Sequence, residues 1–472
     1  MLLRHGFQYL IARGLPGVLN FAAIAIYTRL LSPEQYGAYT LTIATVSAAD
    51  ALLLHWLRLA LLRFLPMPTP SAAGTLPTVL RLYLLVSIGV SLVAAGIGWL
   101  VVDDPLTRQL VVLGAGLFVV QGAFELTVER ERSELSPRRY GLYSGIKATV
   151  ALGLGAALAA AGLGAVGLLI GLVAALVLPL VALGGIVGWV QAARNGYDGK
   201  LARQIATYGL PLAATSVLAF IVSGSDRFML AGLIDTAAAG QYAVGYDLAQ
   251  FTLGLLLNIV NLAAYPLIIA AFEKDGEEAA RHMLRWTLRL MLLIGLPATT
   301  GLAVLAPNVA SVLVGADFER AATSIIPGIA AAALLAGLKA FYFDLAFQLR
   351  GNTIRQVWVL LATAVLNVGL NFWFIPTIGL LGAVYSTVAA QAFALLLSWW
   401  LGRGSLSIPL PDRSSLPILA ATAGMLVSLF LVRGFSGPLW LVLQVGVGVA
   451  VFTLLLLLVD RRFLTKLASP LG

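Results

Sequence analysis

An acid and a base, Asp226 and Arg227, lie side by side within an apolar run that covers residues 205–234. A charge inside a membrane helix is costly, so such a residue normally faces a protein interior or a water-filled path. A second arginine, Arg29, also lies late in an apolar run, and both runs begin with Gly-Leu-Pro and precede a Gln-Tyr pair. We therefore expect Arg29 and Arg227 to be related by an internal repeat and to face one cavity from its outer side.

A third cation, Lys339, stands near the middle of a long apolar stretch, deeper than either arginine. Guanidinium and ammonium groups pair with phosphate oxygens where water is scarce. We therefore predict that Arg29, Arg227 and Lys339 bind an anionic substrate. The alternative for the two arginines is that they extend to the outer interface or form ion pairs that close the cavity.

Acidic side chains also occur at membrane depth, and the candidates are Asp50, Glu125, Asp226, Asp247 and Asp344. A carboxylate whose pKa is raised by burial can bind and release a coupling proton. The alternative is that each neutralises a nearby base, as the spacing of Lys339 and Asp344 favours. Asp226 and Arg227 diverge by about 100° on a helix and cannot point the same way.

Uncharged polar residues within the apolar runs could hydrogen-bond the hydroxyls of a sugar; they are His55, Asn258, Asn261, Asn367 and Asn371. The spacing of four between the last two places both on one helix face. Hydrogen bonds between helices are the alternative use of these side chains, and a lone histidine is commonly a packing residue.

The composition identifies an integral membrane protein. Hydrophobic residues make up 60% of the chain and charged residues 11%, and the mean hydropathy is +0.95. Apolar stretches of spanning length fill nearly the whole sequence and predict an all-α fold with about fourteen transmembrane helices. No soluble domain is left over.

Basic residues concentrate in alternate connectors, which predicts that both termini are cytoplasmic. This bias accounts for the net charge of +9 without nucleic acid as a partner. The chain has no cysteine and only three histidines, far apart, and it lacks a phosphate-binding glycine loop. We therefore expect no metal site and no cofactor.

Both ends of a six-helix unit recur in the same direction. The Gly-Leu-Pro runs mark its start, and Gly164-Ala165-Val166 and Gly382-Ala383-Val384 open its last helix in each copy. This order predicts an N-terminal lobe over 1–190 and a C-terminal lobe over 191–402. The two lobes would be related by a pseudo-twofold axis, with two accessory helices in 403–472.

Three segments resemble one family: Arg29-Leu-Leu-Ser-Pro-Glu-Gln-Tyr-Gly37, Asp226-Arg-Phe-Met-Leu230 leading to Gly240-Gln-Tyr242, and Ile375-Pro376 with Gly379-Leu-Leu-Gly-Ala383. They are similar to the polysaccharide biosynthesis proteins, the Wzx-like lipid-linked oligosaccharide flippases of the multidrug/oligosaccharidyl-lipid/polysaccharide exporter superfamily. The resemblance implies two six-helix lobes around a central cavity that work by alternating access.

The resemblance further implies transfer of an undecaprenyl-diphosphate-linked oligosaccharide, an O-antigen or exopolysaccharide repeat unit, across the bacterial inner membrane. Lipopolysaccharide or exopolysaccharide assembly would supply the partners: the lipid-linked glycan, membrane lipid, and a polymerase and glycosyltransferases.

Two other functions stay open. A multidrug or peptidoglycan-precursor exporter would use the same scaffold, and a membrane glycosyltransferase or polymerase belongs to a different class. Such enzymes usually carry a large outer loop with catalytic residues, whereas Asp103 and Asp104 lie in a connector of a few residues. We therefore expect that the chain is not an enzyme.

Overall fold

The computed structural model describes residues 17–66, 70–134, 136–193 and 196–459, and every regular element in these ranges is a helix. The prediction of an all-helical membrane protein is confirmed. Ten of the described helices are long and apolar enough to span a membrane, or up to eleven if the bent pair around Leu54 forms one span. The predicted count of about fourteen is not confirmed by this number, and the predicted cytoplasmic termini lie outside the described residues.

Contacts divide the chain into two compact units, Met1–Phe228 and Met229–Gly472. The helices of the first are α1 (Gly17–Leu30), α2 (Pro33–Leu53), α3 (His55–Phe64), α4 (Pro70–Leu100), α5 (Pro105–Ser133), α6 (Pro137–Leu158), α7 (Gly164–Ala182), α8 (Gly185–Ala193) and α9 (Gly199–Leu233), the last of which runs across the division. The helices of the second are α10 (Thr236–Val304), α11 (Ala306–Leu313), α12 (Ala316–Leu338), α13 (Leu345–Leu349), α14 (Thr353–Ile378), α15 (Leu380–Gly402), α16 (Leu416–Val432) and α17 (Pro438–Val459). The lobe limits predicted from spans and repeats stay predictions.

In the first unit, α3, α5 and α7 form a closely packed core whose centre includes Leu57, Leu117 and Leu169, all fully buried. Helices in lipid gain little from the hydrophobic effect, so small residues that allow close approach favour their pairing. A Cβ atom on Gly171 would lie 2.6 Å from the Cα atom of Gly155, so α6 and α7 touch backbone to backbone there. This contact fixes α6, which carries part of the site described below.

In the second unit, α10 is interrupted at Gly276, whose backbone has φ 84° and ψ −169°, so the two arms are separate helical segments. Helix α12 packs against α10 and α15, and α15 also packs against α14. The last two helices are tied in by polar contacts: Asn308 donates to Gln444 at 2.7 Å, and Gln444 donates to the carbonyls of Val432 and Phe435.

Two helix caps give a register in which the two halves of the predicted repeat can be compared. Ser32 caps α2 and Asp235 caps α10, each accepting a hydrogen bond from the backbone N–H three residues later. In this register Tyr39 corresponds to Tyr242, because both lie seven residues after the cap. The two Gln-Tyr pairs therefore differ by three residues in the cap register, and the repeat itself stays a prediction.

The same displacement occurs at the other end of the repeat. Gly164 (φ 51°, ψ −133°) precedes the body of α7, and Gly379 (φ 62°, ψ −138°) caps α15 in nearly the same conformation. Only glycine adopts this region readily. By backbone conformation Gly164 resembles Gly379, which lies three residues before the Gly382 of the predicted match.

Candidate functional site

Two charged residues on either side of a bend near Leu54 form an ion pair. Helices α2 and α3 meet at 48° across Leu54. Eight residues on a straight helix rise about 12 Å, yet Asp50 on α2 and Arg58 on α3 form an ion pair. The indole of Trp56 donates to the Leu53 carbonyl at 2.8 Å and satisfies a backbone acceptor at the bend.

Arg58 is the centre of this cluster. Its guanidinium contacts Asp50, donates to Nδ1 of His55 at 2.9 Å, and lies 3.6 Å from Glu125 on α5. Because the arginine can only donate, Nδ1 of His55 accepts and carries no proton in this arrangement. Among the described residues, Asp50 Oδ1 and Arg58 Nε have no hydrogen-bond partner.

The cluster continues to Lys147 on α6, whose ammonium lies 3.7 Å from Glu125 and 4.9 Å from the ring centre of Phe124. We call Asp50, Arg58, Glu125 and Lys147 the charge relay. Its charges alternate, and side-chain exposure rises along it from 8% for Asp50 and 15% for Arg58 to 30% for Glu125 and 32% for Lys147. The relay therefore connects a buried carboxylate to an accessible base.

The accessible end of the relay opens into a cavity of about 350 Å³ inside the first unit. Helices α1, α2, α5, α6 and α7 contribute its wall, which combines the two charges with hydroxyl and amide groups and apolar surface. The polar lining consists of Asn20, Tyr27, Tyr39, Glu125, Tyr140, Ser144 and Lys147. Such a mixture of aromatic surface and a few polar groups is typical of small-molecule sites.

The tyrosines of the wall are held in fixed positions. Tyr27 donates to the carbonyl of Ala151 at 2.7 Å, and its ring meets that of Tyr39 edge to face with centroids 6.1 Å apart. Aromatic rings with one polar end suit the apolar face and hydroxyl rim of a sugar. The cavity therefore offers one cation, one carboxylate and several hydroxyl groups to a polar ligand.

The structure thus brings three predicted residues, Asp50, His55 and Glu125, into one cluster. Sequence reasoning missed Lys147 as an intramembrane cation and did not assign Arg58 a place in the site. The signal for Lys147 was present, because it is a base within an apolar run. Its nearness in sequence to the basic connector before α6 concealed it.

Lys339 lies in the second unit in a closed polar cluster. Its ammonium is 2.9 Å from Asp344, which also accepts hydrogen bonds from Gln356 at 3.2 Å and Ser398 at 2.8 Å. Asp344 is fully buried and the lysine nearly so. This geometry matches the ion pair that the sequence left open as the alternative to substrate binding.

The two arginines differ in surroundings. Arg29 is exposed at the end of α1 and donates to the carbonyl of Ala25, whereas Arg227 is half-buried in α9 beside the fully buried Asp226. Arg29 lies three residues before the cap Ser32, but Arg227 lies eight before Asp235. The cap register therefore does not place them at equivalent positions.

The remaining predicted residues lie in the second unit. Asp247, Asn258 and Asn261 are half-buried on α10. Asn367 and Asn371 are fully buried on one face of α14, and the Asn371 amide donates to Asn367 at 3.4 Å. Within the described ranges, no group of three or more carboxylate, histidine or cysteine side chains is arranged to hold a metal.

A family profile and several solved structures match this chain. The profile of a family described as "Polysaccharide biosynthesis protein" matches residues 26–323. The lipid II flippase MurJ, in an inward closed conformation, has a similar structure at 13% identity, with a TM-score of 0.78 over 97% of this chain and 99% of MurJ.

Two further structures are similar over less of the chain. An inward-facing multidrug resistance MATE transporter of the MOP superfamily matches at 15% identity and TM-score 0.61, over 84% of this chain and 97% of its own. A MOP superfamily transporter from Pyrococcus furiosus matches at 17% identity and TM-score 0.59, over 85% and 94%. No curated protein sequence matches the chain. These solved neighbours are described as a flippase and transporters, and at 13–17% identity the likeness shows the fold that the chain shares with them.

Proposed function

Since the chain belongs to the polysaccharide biosynthesis protein family, we propose that it translocates a polyprenyl-diphosphate-linked oligosaccharide across a membrane by alternating access. The observation that carries the proposal is the cavity of the first unit, where a lysine, a carboxylate and tyrosine hydroxyls meet at membrane depth. Such groups are expensive in lipid and are kept where a polar ligand uses them.

Lys147 is the group suited to the anionic part of the substrate. Charge-assisted hydrogen bonds are usually about 2.7–2.9 Å long. The Lys147 ammonium lies 3.7 Å from the nearest Glu125 carboxylate oxygen, so these two groups form a weak ion pair. A phosphate oxygen can replace Glu125 at the ammonium without a buried pair being broken. Glu125 then keeps Arg58 as its counter-charge at 3.6 Å.

The uncharged wall suits the glycan. Tyr27, Tyr39 and Tyr140 present rings and hydroxyls, and Asn20 and Ser144 add donors and acceptors. A sugar has apolar ring faces and polar edges, which these side chains can contact together. The polyprenyl tail needs no protein site because it can stay in lipid.

The predicted coupling acids acquire separate roles in this proposal. Asp50 would hold Arg58 at the buried end of the relay, and Glu125 would face Lys147 at the accessible end. Arg29 and Arg227 would act near the outer end of the path. We assign Lys339 to stabilising the second unit through Asp344, because both groups already satisfy each other.

We further propose an O-antigen or exopolysaccharide repeat unit as the cargo and the bacterial inner membrane as the location, with both termini cytoplasmic. The partners would be a polymerase and the glycosyltransferases that build the glycan. These points rest on the family resemblance and on the distribution of basic connectors.

A peptidoglycan precursor is the second candidate cargo. The observation that favours it is the fold similarity to the lipid II flippase MurJ, which extends over 97% of this chain, against 84% for the MATE transporter. Multidrug export is the third candidate on this scaffold. All three use a polar cavity, so phenotype must separate them.

Gene deletion with complementation tests the proposal. We expect deletion to abolish one surface polysaccharide while growth stays normal, and Lys147→Met to restore it poorly. Lys274→Met, which removes an exposed lysine of α10, is the matched control and should complement fully. Lysis after deletion would identify the peptidoglycan precursor, and drug sensitivity alone would identify multidrug export.

A further inference from the structure

A second concave site of about 580 Å³ lies in the first unit, between the end of α3 and the first turns of α9. It is separate from the charge relay, and its lining consists of Arg63, Phe64, Lys200, Arg203, Gln204, Thr207 and Tyr208. Three of these residues are cationic and none is acidic. We call it the basic pocket.

The α9 side of the basic pocket is a single helix stripe. Lys200, Arg203, Gln204 and Thr207 follow the spacing that places residues on one face, and all four are exposed. The opposite face of the same turns is anchored in the core, where Ile205 is fully buried. The polar stripe is thus held rigidly against the rest of the unit.

Arg63 completes the pocket from α3. Its guanidinium stacks over the ring of Tyr208 at 4.2 Å, and Phe64 meets the same ring edge to face at 5.9 Å. A cation held on an aromatic face keeps its N–H edge available for an anion. Arg63 therefore lines the basic pocket together with the two bases of α9.

These bases have no carboxylate to neutralise them. No ion pair of Arg63, Lys200 or Arg203 occurs within the part of the chain that the structure describes. The acid just before α9, Asp198, accepts hydrogen bonds from the backbone N–H groups of Lys200 and Leu201 at 2.9 and 3.2 Å. The pocket carries unbalanced positive charge.

We propose that the basic pocket binds the phosphate group of an anionic membrane lipid. The position argues for a lipid in place of a free anion, because Leu210, one turn further along α9, is 52% exposed and provides apolar surface for an acyl chain. Rings such as Phe64 and Tyr208 are typical of the membrane interface. The sequence places this end of α9 on the cytoplasmic side, where anionic lipid attracts clustered lysine and arginine.

Lipid binding to the purified full chain tests this proposal independently of transport. Native mass spectrometry would count bound phosphatidylglycerol and, as the zwitterionic reference, phosphatidylcholine. The test variant is Arg63→Gln/Lys200→Gln/Arg203→Gln. The matched control removes three exposed arginines outside the pocket: Arg320→Gln/Arg403→Gln/Arg433→Gln.

We expect the test variant to bind phosphatidylglycerol at least about tenfold more weakly than wild type, with phosphatidylcholine binding unchanged. The control variant should bind like wild type, as should the charge-retaining Arg63→Lys/Lys200→Arg/Arg203→Lys. Undecaprenyl diphosphate that displaces phosphatidylglycerol would identify the substrate lipid as the occupant.

Equal phosphatidylglycerol binding by wild type and the test variant would overturn the proposal. Displacement of the lipid by millimolar inorganic phosphate would overturn it as well, because the pocket would then recognise a free anion. Since the measurement is lipid binding alone, its result does not depend on transport, and the lipid-site proposal and the proposed transport function fail in separate experiments.

Discussion

Replacing Arg58 with methionine should destabilise the first unit more than removing any exposed arginine. Arg58 holds the buried Asp50 and lies 3.6 Å from Glu125, with its own side chain 15% exposed. The substitution keeps the aliphatic volume but leaves two carboxylates without their shared cation. Asp50 then has no other basic partner at ion-pair distance among the described residues.

Breaking a buried ion pair from one side costs about 3–5 kcal/mol. The Glu125 side chain keeps Lys147, so we place Arg58→Met at the lower end, about 3 kcal/mol in the free energy of unfolding. Adding Asp50→Asn removes the uncompensated charge. The double variant should therefore recover about 2 kcal/mol of that loss, and adding the loss measured for Asp50→Asn alone to this recovery gives the coupling energy between the two sites.

Unfolding by denaturing detergent, followed by tryptophan fluorescence, measures these differences, because Trp56 is buried beside the bend. Arg130→Met is the matched control, since its pair with Glu134 is 33% and 40% exposed and should contribute less than about 1 kcal/mol. Additive losses in the double variant, or a loss for Arg58→Met no larger than for Arg130→Met, would refute the central role of Arg58.

Three further substitutions test other parts of the fold. Gly382→Ala should destabilise the α14–α15 hairpin by at least about 2 kcal/mol, because the new Cβ would lie 2.3 Å from the Phe374 carbonyl oxygen; unchanged unfolding would contradict this contact. Gln444→Leu should lower the free energy of unfolding by about 1–3 kcal/mol, since the buried Asn308 amide loses its hydrogen-bond acceptor. An unchanged free energy of unfolding would mean that this hydrogen bond does not stabilise the packing of α17. Partial burial raises the pKa of Asp412, but hydrogen bonds from neighbouring hydroxyl, backbone and guanidinium groups outweigh it and hold this pKa below its ordinary value of 3.8. The stabilisation is present above the unfolded-state pKa and is lost as pH falls through the folded one, so thermal unfolding should separate wild type from Asp412→Asn at pH 6 and bring them together under strongly acidic conditions.

The fold class could be predicted from sequence because hydropathy alone identifies membrane helices. The internal repeat stays a prediction, and its short motifs differ by three residues from the positions that the helix caps and glycine conformations align. Short motifs such as Gln-Tyr and Gly-Ala-Val recur by chance in a chain with 48 glycines. The structural markers, the cap at Asp235 and the positive φ of Gly379, are backbone properties that no motif encodes.

The candidate site was predictable only in part. Asp50 and Glu125 were identified because each is a charged residue well inside an apolar run. Lys147 meets the same criterion and could have been identified in the same way. The pairing of Arg58 with Asp50 spans the 48° bend at Leu54 and joins charges eight residues apart, farther than the spacing of three or four at which side chains on one helix are neighbours. Lys339 was recognised from the sequence as a deep lysine, but its role was not. Its partner Asp344 is held by Gln356 and Ser398 on neighbouring helices, and these contacts could not be read from the sequence.

The central claim is that the cavity beside Lys147 carries the anionic head of a lipid-linked glycan. The most direct measurement uses proteoliposomes with a labelled undecaprenyl-diphosphate oligosaccharide and follows capture of the glycan by an external lectin. We predict that wild type exposes the glycan faster than protein-free liposomes. Lys147→Met should be about tenfold or more slower, because one charge-assisted hydrogen bond is lost, while Lys274→Met keeps the wild-type rate. A Lys147→Met rate equal to wild type, or wild type no faster than empty liposomes, would contradict the account.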